Sequence, residues 1–364
     1  MFLKNMFLFT VFFFMSNANA QDYLDHTKVS LSWLFLKPYS SNHAYASLVS
    51  GTQPYYQNWH LQVVNPNYSS AFEVALQSNI LENILSGSAS WLHFNSNDSN
   101  NVQGNSTLND KNIAFVGPLF EMSPPVFGIR RADAQLKYNY DDINLNLEKL
   151  FSNKTNMFGK LIGGLKVLSI KQTFTTVFSD LVGALPTPYS YALSPDPSYT
   201  FQIQSISSFI GLGPDLGLNG EIEIGYGFSL IGNAMGSLSV GTSSIQEKFQ
   251  ATSERLTNLG IGTSYQQITT PNKTQLIPGF DGKLGVAYKF EKKQSHHFKI
   301  EAGYRLLSYI NAISTTAPQT LVQPGTEIAT PEFSTGTMAI VSVTQQDRPF
   351  NLNGAYITFS YTHL

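Results

Sequence analysis

Residues 280–306 read Phe-Asp-Gly-Lys-Leu-Gly-Val-Ala-Tyr-Lys-Phe-Glu-Lys-Lys-Gln-Ser-His-His-Phe-Lys-Ile-Glu-Ala-Gly-Tyr-Arg-Leu. Phe280, Leu284, Val286, Tyr288 and Phe290 alternate with Asp281, Lys283, Ala287, Lys289 and Glu291. After a short polar turn at 292–297, Phe298, Ile300, Ala302, Tyr304 and Leu306 alternate with Lys299, Glu301, Gly303 and Arg305. A period of two places the two sets on opposite faces of β-strands, one apolar and one polar.

The pattern recurs outward from this hairpin. Phe72, Val74 and Leu76 alternate with Glu73, Ala75 and Gln77, and Ile143, Leu145 and Leu147 with Asn144, Asn146 and Glu148. Ile222, Ile224, Tyr226, Phe228 and Leu230 alternate with Glu221, Glu223, Gly225, Gly227 and Ser229, followed by a turn at Gly232-Asn233. Val29, Leu31, Trp33 and Phe35 share one face of an early strand, although Leu34 and Leu36 blur the other. Ala132, Ala134, Leu136, Tyr138 and Tyr140 alternate with Asp133, Gln135, Lys137 and Asn139. The apolar parity changes between Tyr140 and Ile143, which places a tight turn or a bulge at Asp141-Asp142.

Two environments produce such strands. In a soluble sandwich the apolar face meets a core, and in a membrane barrel it meets lipid while the polar face lines a lumen. The segments 221–230 and 280–291 have the length of about 9–11 residues that a tilted spanning strand needs, against about 5–6 in globular sheets. Tyr138/Tyr140, Tyr288/Phe290 and Tyr356/Phe359/Tyr361 stand near strand ends, where interfacial aromatic girdles sit. Short turns alternate with long polar stretches at 39–66, 95–111, 181–199, 245–278 and 315–350, which read as loops. The expected fold is an all-β transmembrane antiparallel barrel of about 12 strands, within a range of 12–16, with long external loops and short turns. The segment 355–364 alternates to the final residue and reads as its closing strand.

Composition agrees. Only 13% of the 364 residues are charged, against about 25% in ordinary soluble domains, and the hydrophobic share is 42%. A formal charge of -2 provides no basic field for nucleic acid, and zero Cys excludes disulfides, thiolate metal sites and cysteine nucleophiles. Lys4, the apolar run 6–15 and Ala18-Asn19-Ala20 form an export signal, with cleavage expected after Ala20. Residues 21–364 then form one barrel domain, exported to a bacterial outer membrane.

The central stretch runs Phe-Ile-Gly-Leu-Gly-Pro-Asp-Leu-Gly-Leu-Asn-Gly from Phe209 and continues to Gly-Tyr-Gly-Phe-Ser-Leu-Ile-Gly-Asn-Ala at Ala234. It resembles the Legionella-type major outer membrane protein family, whose Gly-x-Gly-Pro-x-x-Gly-Leu falls here on Gly211, Gly213, Pro214, Gly217 and Leu218. The family's Gly-Phe-Ser-Leu-Phe-Gly-x-Ala falls on Gly227, Phe228, Ser229, Leu230, Gly232 and Ala234. Residues 138–148 look like its Tyr-Asp-x-x-Asp-Leu-Glu segment. The resemblance implies a pore-forming outer-membrane barrel. Typical members cross-link subunits through cysteines, which this chain lacks, so any homo-oligomer is non-covalent. Physically, the glycines relieve crowding where strands bend, and Pro214 marks a break, edge or bulge.

Chemistry is sparse. His296-His297 at consecutive strand positions would point to opposite faces, and they read as a polar turn rather than a metal site. No Gly-x-Ser-x-Gly elbow exists, and His93 is the one candidate base, so no enzymatic activity, metal or cofactor is expected. The pore-lining candidates are Glu221, Glu223, Lys283, Lys289, Lys299, Glu301, Arg305, Asp133 and Lys137. Their mixed signs point to a weakly selective aqueous channel for small hydrophilic solutes, in contact with outer-membrane lipid. Paired across a narrow lumen, the same charges would plug it, and the long Ser/Thr/Asn loops suit a surface adhesin or structural barrel with little conductance.

Overall fold

The computed structural model describes residues 27–52, 55–81, 85–104, 112–119, 121–123, 129–154, 157–181, 196–258, 264–293, 296–322 and 339–363. The expected export signal lies outside them. Period-two alternation becomes long strands: β1 (Thr27–Tyr39), β2 (Ser69–Leu81), β3 (Leu85–Gln103), β4 (Ile129–Lys154) and β5 (Met157–Leu181). There follow β6 (Asp196–Gly225), β7 (Phe228–Thr252), β8 (Lys273–Lys293), β9 (His296–Val322) and β10 (Ala339–His363). Each pairs antiparallel with its sequence neighbour, and β1 pairs with β10 from Thr27↔His363 to Tyr39↔Asn351, which closes the barrel.

Among the described residues ten strands link into the ring, close to the expected count of about twelve. The expected loops hold further structure instead. Strands at Ala44–Thr52, Tyr55–Val63, Asn112–Gly117, Glu121–Ser123 and Ser264–Thr269 and a short helix at Glu254–Asn258 lie off the ring. Much of 95–111, 245–278 and 315–350 simply continues the ring strands beyond the membrane.

Strand β4 shows what that continuation means. It spans 26 residues without a turn, and its register with β3 and β5 runs unbroken through Asp141 and Asp142. At about 3.3 Å per residue it is far longer than a bilayer crossing requires. Even-numbered residues point inward throughout: Ala132, Ala134, Leu136, Tyr138 and Tyr140 are buried in the upper half, as are Asp142 and Asn144 below. Leu145 and Leu147 are exposed on the outside of the lower half. The apolar parity inverts because the surroundings invert. In the membrane the outside is lipid and the lumen is polar. Beyond it the outside is water and the interior is an apolar core. The turn or bulge expected at Asp141-Asp142 is thus absent, and these residues mark the upper membrane boundary.

The outer belt confirms the level. Val29, Leu31, Trp33, Phe35, Leu161, Leu165, Ile210, Leu212, Leu216, Leu218, Leu230, Leu238, Val240, Leu284, Val286 and Phe359 are all exposed. At its short-turn end, Phe228–Tyr288, Tyr288–Phe290 and Phe298–Tyr361 ring pairs lie 4.7, 4.4 and 5.1 Å apart, forming one girdle. Tyr138, Tyr140 and Tyr356, expected in a girdle, point into the lumen instead. Two other local readings change. The β6–β7 hairpin turns at Gly225-Tyr226-Gly227, all at positive φ (119°, 54° and 82°), whereas Gly232 and Asn233 are mid-strand, opposite Leu284 and Lys283. At the glycine stretch, β6–β7 pairing breaks between Leu212↔Val240 and Asp215↔Ser237, so Pro214 loses no ladder bond there.

Candidate functional site

The lumen has three storeys. The lowest, near the short turns, is a polar cavity of about 250 Å³ lined among others by Lys28, Glu148, Lys160, Glu221, Lys299 and Glu301. Alternation delivers these side chains inward from different strands, and they pair there. Lys160 Nζ lies 3.0 Å from Glu148 Oε2, which also accepts from Gln77 Nε2 at 3.0 Å. Lys299 and Lys289 hold the two oxygens of Glu221 at 2.8 and 2.9 Å. Tyr356 donates to Glu301 at 2.8 Å.

The middle storey is a buried ionic layer. Arg305 grips Asp281 through Nε (3.1 Å) and Nη2 (2.7 Å), and its Nη1 lies 3.0 Å from Glu73 Oε2. Lys283 reaches the same Glu73 oxygen at 3.0 Å. Across the lumen Lys166 pairs with Asp142 at 3.0 Å, while Tyr140 donates to Asp142 at 3.0 Å and shares a hydrogen bond of 2.7 Å with Tyr309. Arg305, Lys166 and Asp142 are 1%, 2% and 0% exposed. Charges so far from water persist only in paired, hydrogen-bonded geometry, which is the geometry found.

Above lies the apolar storey. Leu34, Leu36, Leu92, Phe94, Leu168, Phe350 and Leu352 pack around Tyr138, with Tyr138–Phe350 and Tyr140–Phe350 ring centroids 5.2 and 5.8 Å apart. Residues 42–43 fold in from the end of β1. His43 Nε2 lies 2.7 Å from Tyr138 Oη, and Asn42 Nδ2 donates to Gln172 Oε1 at 2.8 Å. Burial lowers the His43 pKa from 6.5 to about 4.

Of the expected lining residues, Glu221, Lys283, Lys299, Glu301 and Arg305 face the cavity. Lys289 and Glu223 pair at 3.2 Å beside its mouth, with Glu223 half-exposed. Asp133 and Lys137 are corrections. They stand on the odd face of β4 above the membrane and point outside the barrel, where Asp133 binds Arg131 at 2.7 Å. Their apolar partners face a core rather than lipid, which reverses the inside and outside of this segment. Glu73, Asp281, Asp142 and Lys166 complete the ionic layer but were not among the candidates. Lys166 was detectable as the one charge in the otherwise uncharged run from Leu161 to Ile170. His93 lies on the outer face, 2.8 Å from Asp141, which also accepts from Trp91 Nε1 at 3.1 Å.

The family profile described as Legionella pneumophila major outer membrane protein precursor matches residues 24–363. The chain belongs to this family. This outer membrane protein is a β-barrel of the bacterial outer membrane. No curated protein matches its sequence. Among solved structures it is similar to the Escherichia coli outer membrane protease OmpT, at 9% identity and TM-score 0.39, covering 95% of this chain and 99% of that one. A Pseudomonas aeruginosa FadL homologue is similar at 10% identity and TM-score 0.27, covering 93% and 90%. The P. putida toluene transporter TodX is similar at 8% identity and TM-score 0.20, covering 95% and 91%.

Proposed function

We propose that this protein is a closed, surface-exposed structural barrel of the outer membrane that conducts little. The observation that carries this reading is the buried Arg305–Asp281–Glu73 layer, with Arg305 1% exposed, beneath an apolar storey that fills the external half. A ring of the ten strands found among the described residues has an interior close to the width that side chains fill, whereas general porins use about 16–18. The long strands raise a polar outer surface well beyond the membrane, a geometry that suits contact with surroundings or cells better than passage of solutes. Planar-bilayer recording of the purified protein tests this. Sparse, small conductance is expected, and regular porin-sized steps would overturn it.

One observation favours a second reading, a weakly selective channel for small hydrophilic solutes. The lowest storey is a genuine polar cavity with balanced charges, Lys28, Lys160 and Lys299 against Glu148, Glu221 and Glu301. Under that reading the ionic layer is a gate, and Arg305→Ala converts a silent barrel into one with stepwise conductance.

A further inference from the structure

Strand β9 follows β8 only as far as Gly279↔Tyr309, although β8 extends onward to Lys273. There β9 carries an irregularity. Its register with β10 slips between Tyr309 and Ile313, and Asn311 adopts φ 58°. Asn is among the few residues that accept this left-handed conformation readily. Burial changes at the slip: the odd-numbered Arg305, Leu307 and Tyr309 are buried below it, whereas Ala312, Ile313, Ser314 and Thr316 are all buried above.

Having left β8, this edge of β9 has no ladder partner among the described residues until Thr320–Val322, which pair with Glu121–Ser123, and burying the N–H groups between unpaired would be costly. Side chains of β6 and β7 take them instead. Ser314 N–H donates to Ser207 Oγ at 3.0 Å, and Thr316 N–H donates to Glu247 Oε1 at 3.3 Å. Ser205 donates to the same oxygen at 2.6 Å. Ser207, Glu247, Ser314 and Thr316 are all at most 5% exposed. The other edge of β9 keeps β10, through Ile313↔Arg348 to Thr316↔Gln345. The segment thus leaves the wall, bypasses β8 and lies against the inner faces of β6 and β7.

We propose that β9 above Asn311, together with its β10 partner strand, is a lid over the external mouth, latched by Ser207 and Glu247 and held more tightly in acid than at neutral pH. The proposal rests on the closed-barrel reading and makes that closure conditional. Glu247 lies beyond Val240, the last lipid-facing apolar residue of β7. Burial raises its carboxyl pKa from 4.5 to about 7, and the hydrogen bonds from Ser205 and Thr316 oppose this only in part. The groups acting on it are that β6 hydroxyl and the β9 Thr316; no charged side chain of the described residues contributes. The β10 carboxylate Asp347 accepts instead from the Ser314 hydroxyl, at 2.5 Å. With the lid shut the carboxyl keeps its proton to about pH 7, and in water only to about 4.5. Opening therefore releases a proton. It becomes about tenfold more favourable per pH unit between those values and levels off above.

The test is amide hydrogen exchange at Ser314 and Thr316 in the full-length protein folded in detergent micelles, corrected for intrinsic exchange, from pH 4.5 to 8. Protection is expected to fall about a hundredfold up to pH 7 and then stay level, while Glu247→Gln gives a flat profile. A flat profile in the unmodified protein overturns the latch. Should Glu247→Gln fail to fold, Ser207→Ala serves: it should lower protection at Ser314 several-fold at every pH, and unchanged protection overturns the latch. Bilayer recording keeps the two readings apart. Porin-sized steps alongside the expected exchange profile would remove the closed-barrel reading alone, and small conductance with flat exchange would remove the lid alone.

Discussion

Arg305 and Asp281 face each other across β9 and β8 as a bidentate pair, at 3.1 and 2.7 Å, with the arginine 1% and the aspartate 5% exposed. A guanidinium fork matches a carboxylate in a way that an ammonium cannot. The same guanidinium reaches Glu73 of β2, so one side chain ties strands on both sides of the β1–β10 closure. Arg305→Met strands the buried Asp281 carboxylate and leaves Glu73 to Lys283 alone, and is expected to cost about 3–5 kcal/mol. Arg305→Lys should cost less, since it keeps the charge and loses the fork. Urea unfolding of the folded barrel in detergent measures both, and similar stability for Arg305→Met would show that the layer is hydrated rather than buried.

The two faces of the wall can be told apart by placing the same charge on each. Val286 stands in the apolar belt and Ser90 lines the polar cavity. Val286→Lys should cost about 2–4 kcal/mol and reduce folding yield, as expected for a cation facing lipid near midplane. Ser90→Lys should fold at nearly the native yield. A gel shift between folded and heated protein reads the yield, and equal losses would reverse the assignment of faces.

Glycine is required where neighbouring backbones come close. A Cβ on Gly213 would collide with the Leu238 carbonyl oxygen across the β6–β7 break, whereas one on Gly236 would meet nothing within 4 Å. Gly213→Ala is expected to destabilise by about 1–3 kcal/mol through overpacking, and Gly236→Ala to be neutral or slightly stabilising. Thermal unfolding of the pair settles it by their difference.

His43 gives the external half a pH response of its own. Its imidazole is 6% exposed, hydrogen-bonded to Tyr138, and held at a pKa of about 4 by burial against 6.5 in the unfolded chain. A depressed histidine pKa favours the folded state above pH 6.5, and that contribution is lost as pH falls toward 4. The loss amounts to up to about 3 kcal/mol. His43→Gln should flatten this part of the stability–pH curve, and an unchanged curve would assign the response elsewhere. The sign is opposite to that of Glu247, so acid should tighten the lid while loosening the Tyr138 cluster.

Within the membrane, the fold was legible in the sequence. At the described positions of 280–290 and 297–306, inward and outward directions follow from period-two alternation, because lipid and a polar lumen impose opposite demands on the two faces. Beyond the membrane the same rule misled. Tyr140 and Asp142 point the same way on one straight strand, yet the change of partner from apolar core to ionic layer looked like a change of direction. Alternation records which solvent a face meets, not which way the backbone runs. Asp133 and Lys137 were therefore placed inside and stand outside. The ionic layer was half visible: Arg305 and Lys283 lay on a polar face, but nothing in sequence joins them to Glu73, 210 residues from Lys283.

The inversion on β4 also bears on how the barrel sits in its membrane. Below Asp142 the outer face is Leu145 and Leu147; above Tyr140 it is Asn139, Lys137 and Asp133. Sinking the barrel by one residue pair would drag polar side chains into hydrocarbon, and raising it would strip lipid from the belt. The chain thus carries its own waterline. Vertical position is fixed by every strand at once, so an insertion or deletion inside a single strand would leave that strand at odds with its neighbours over where the membrane ends.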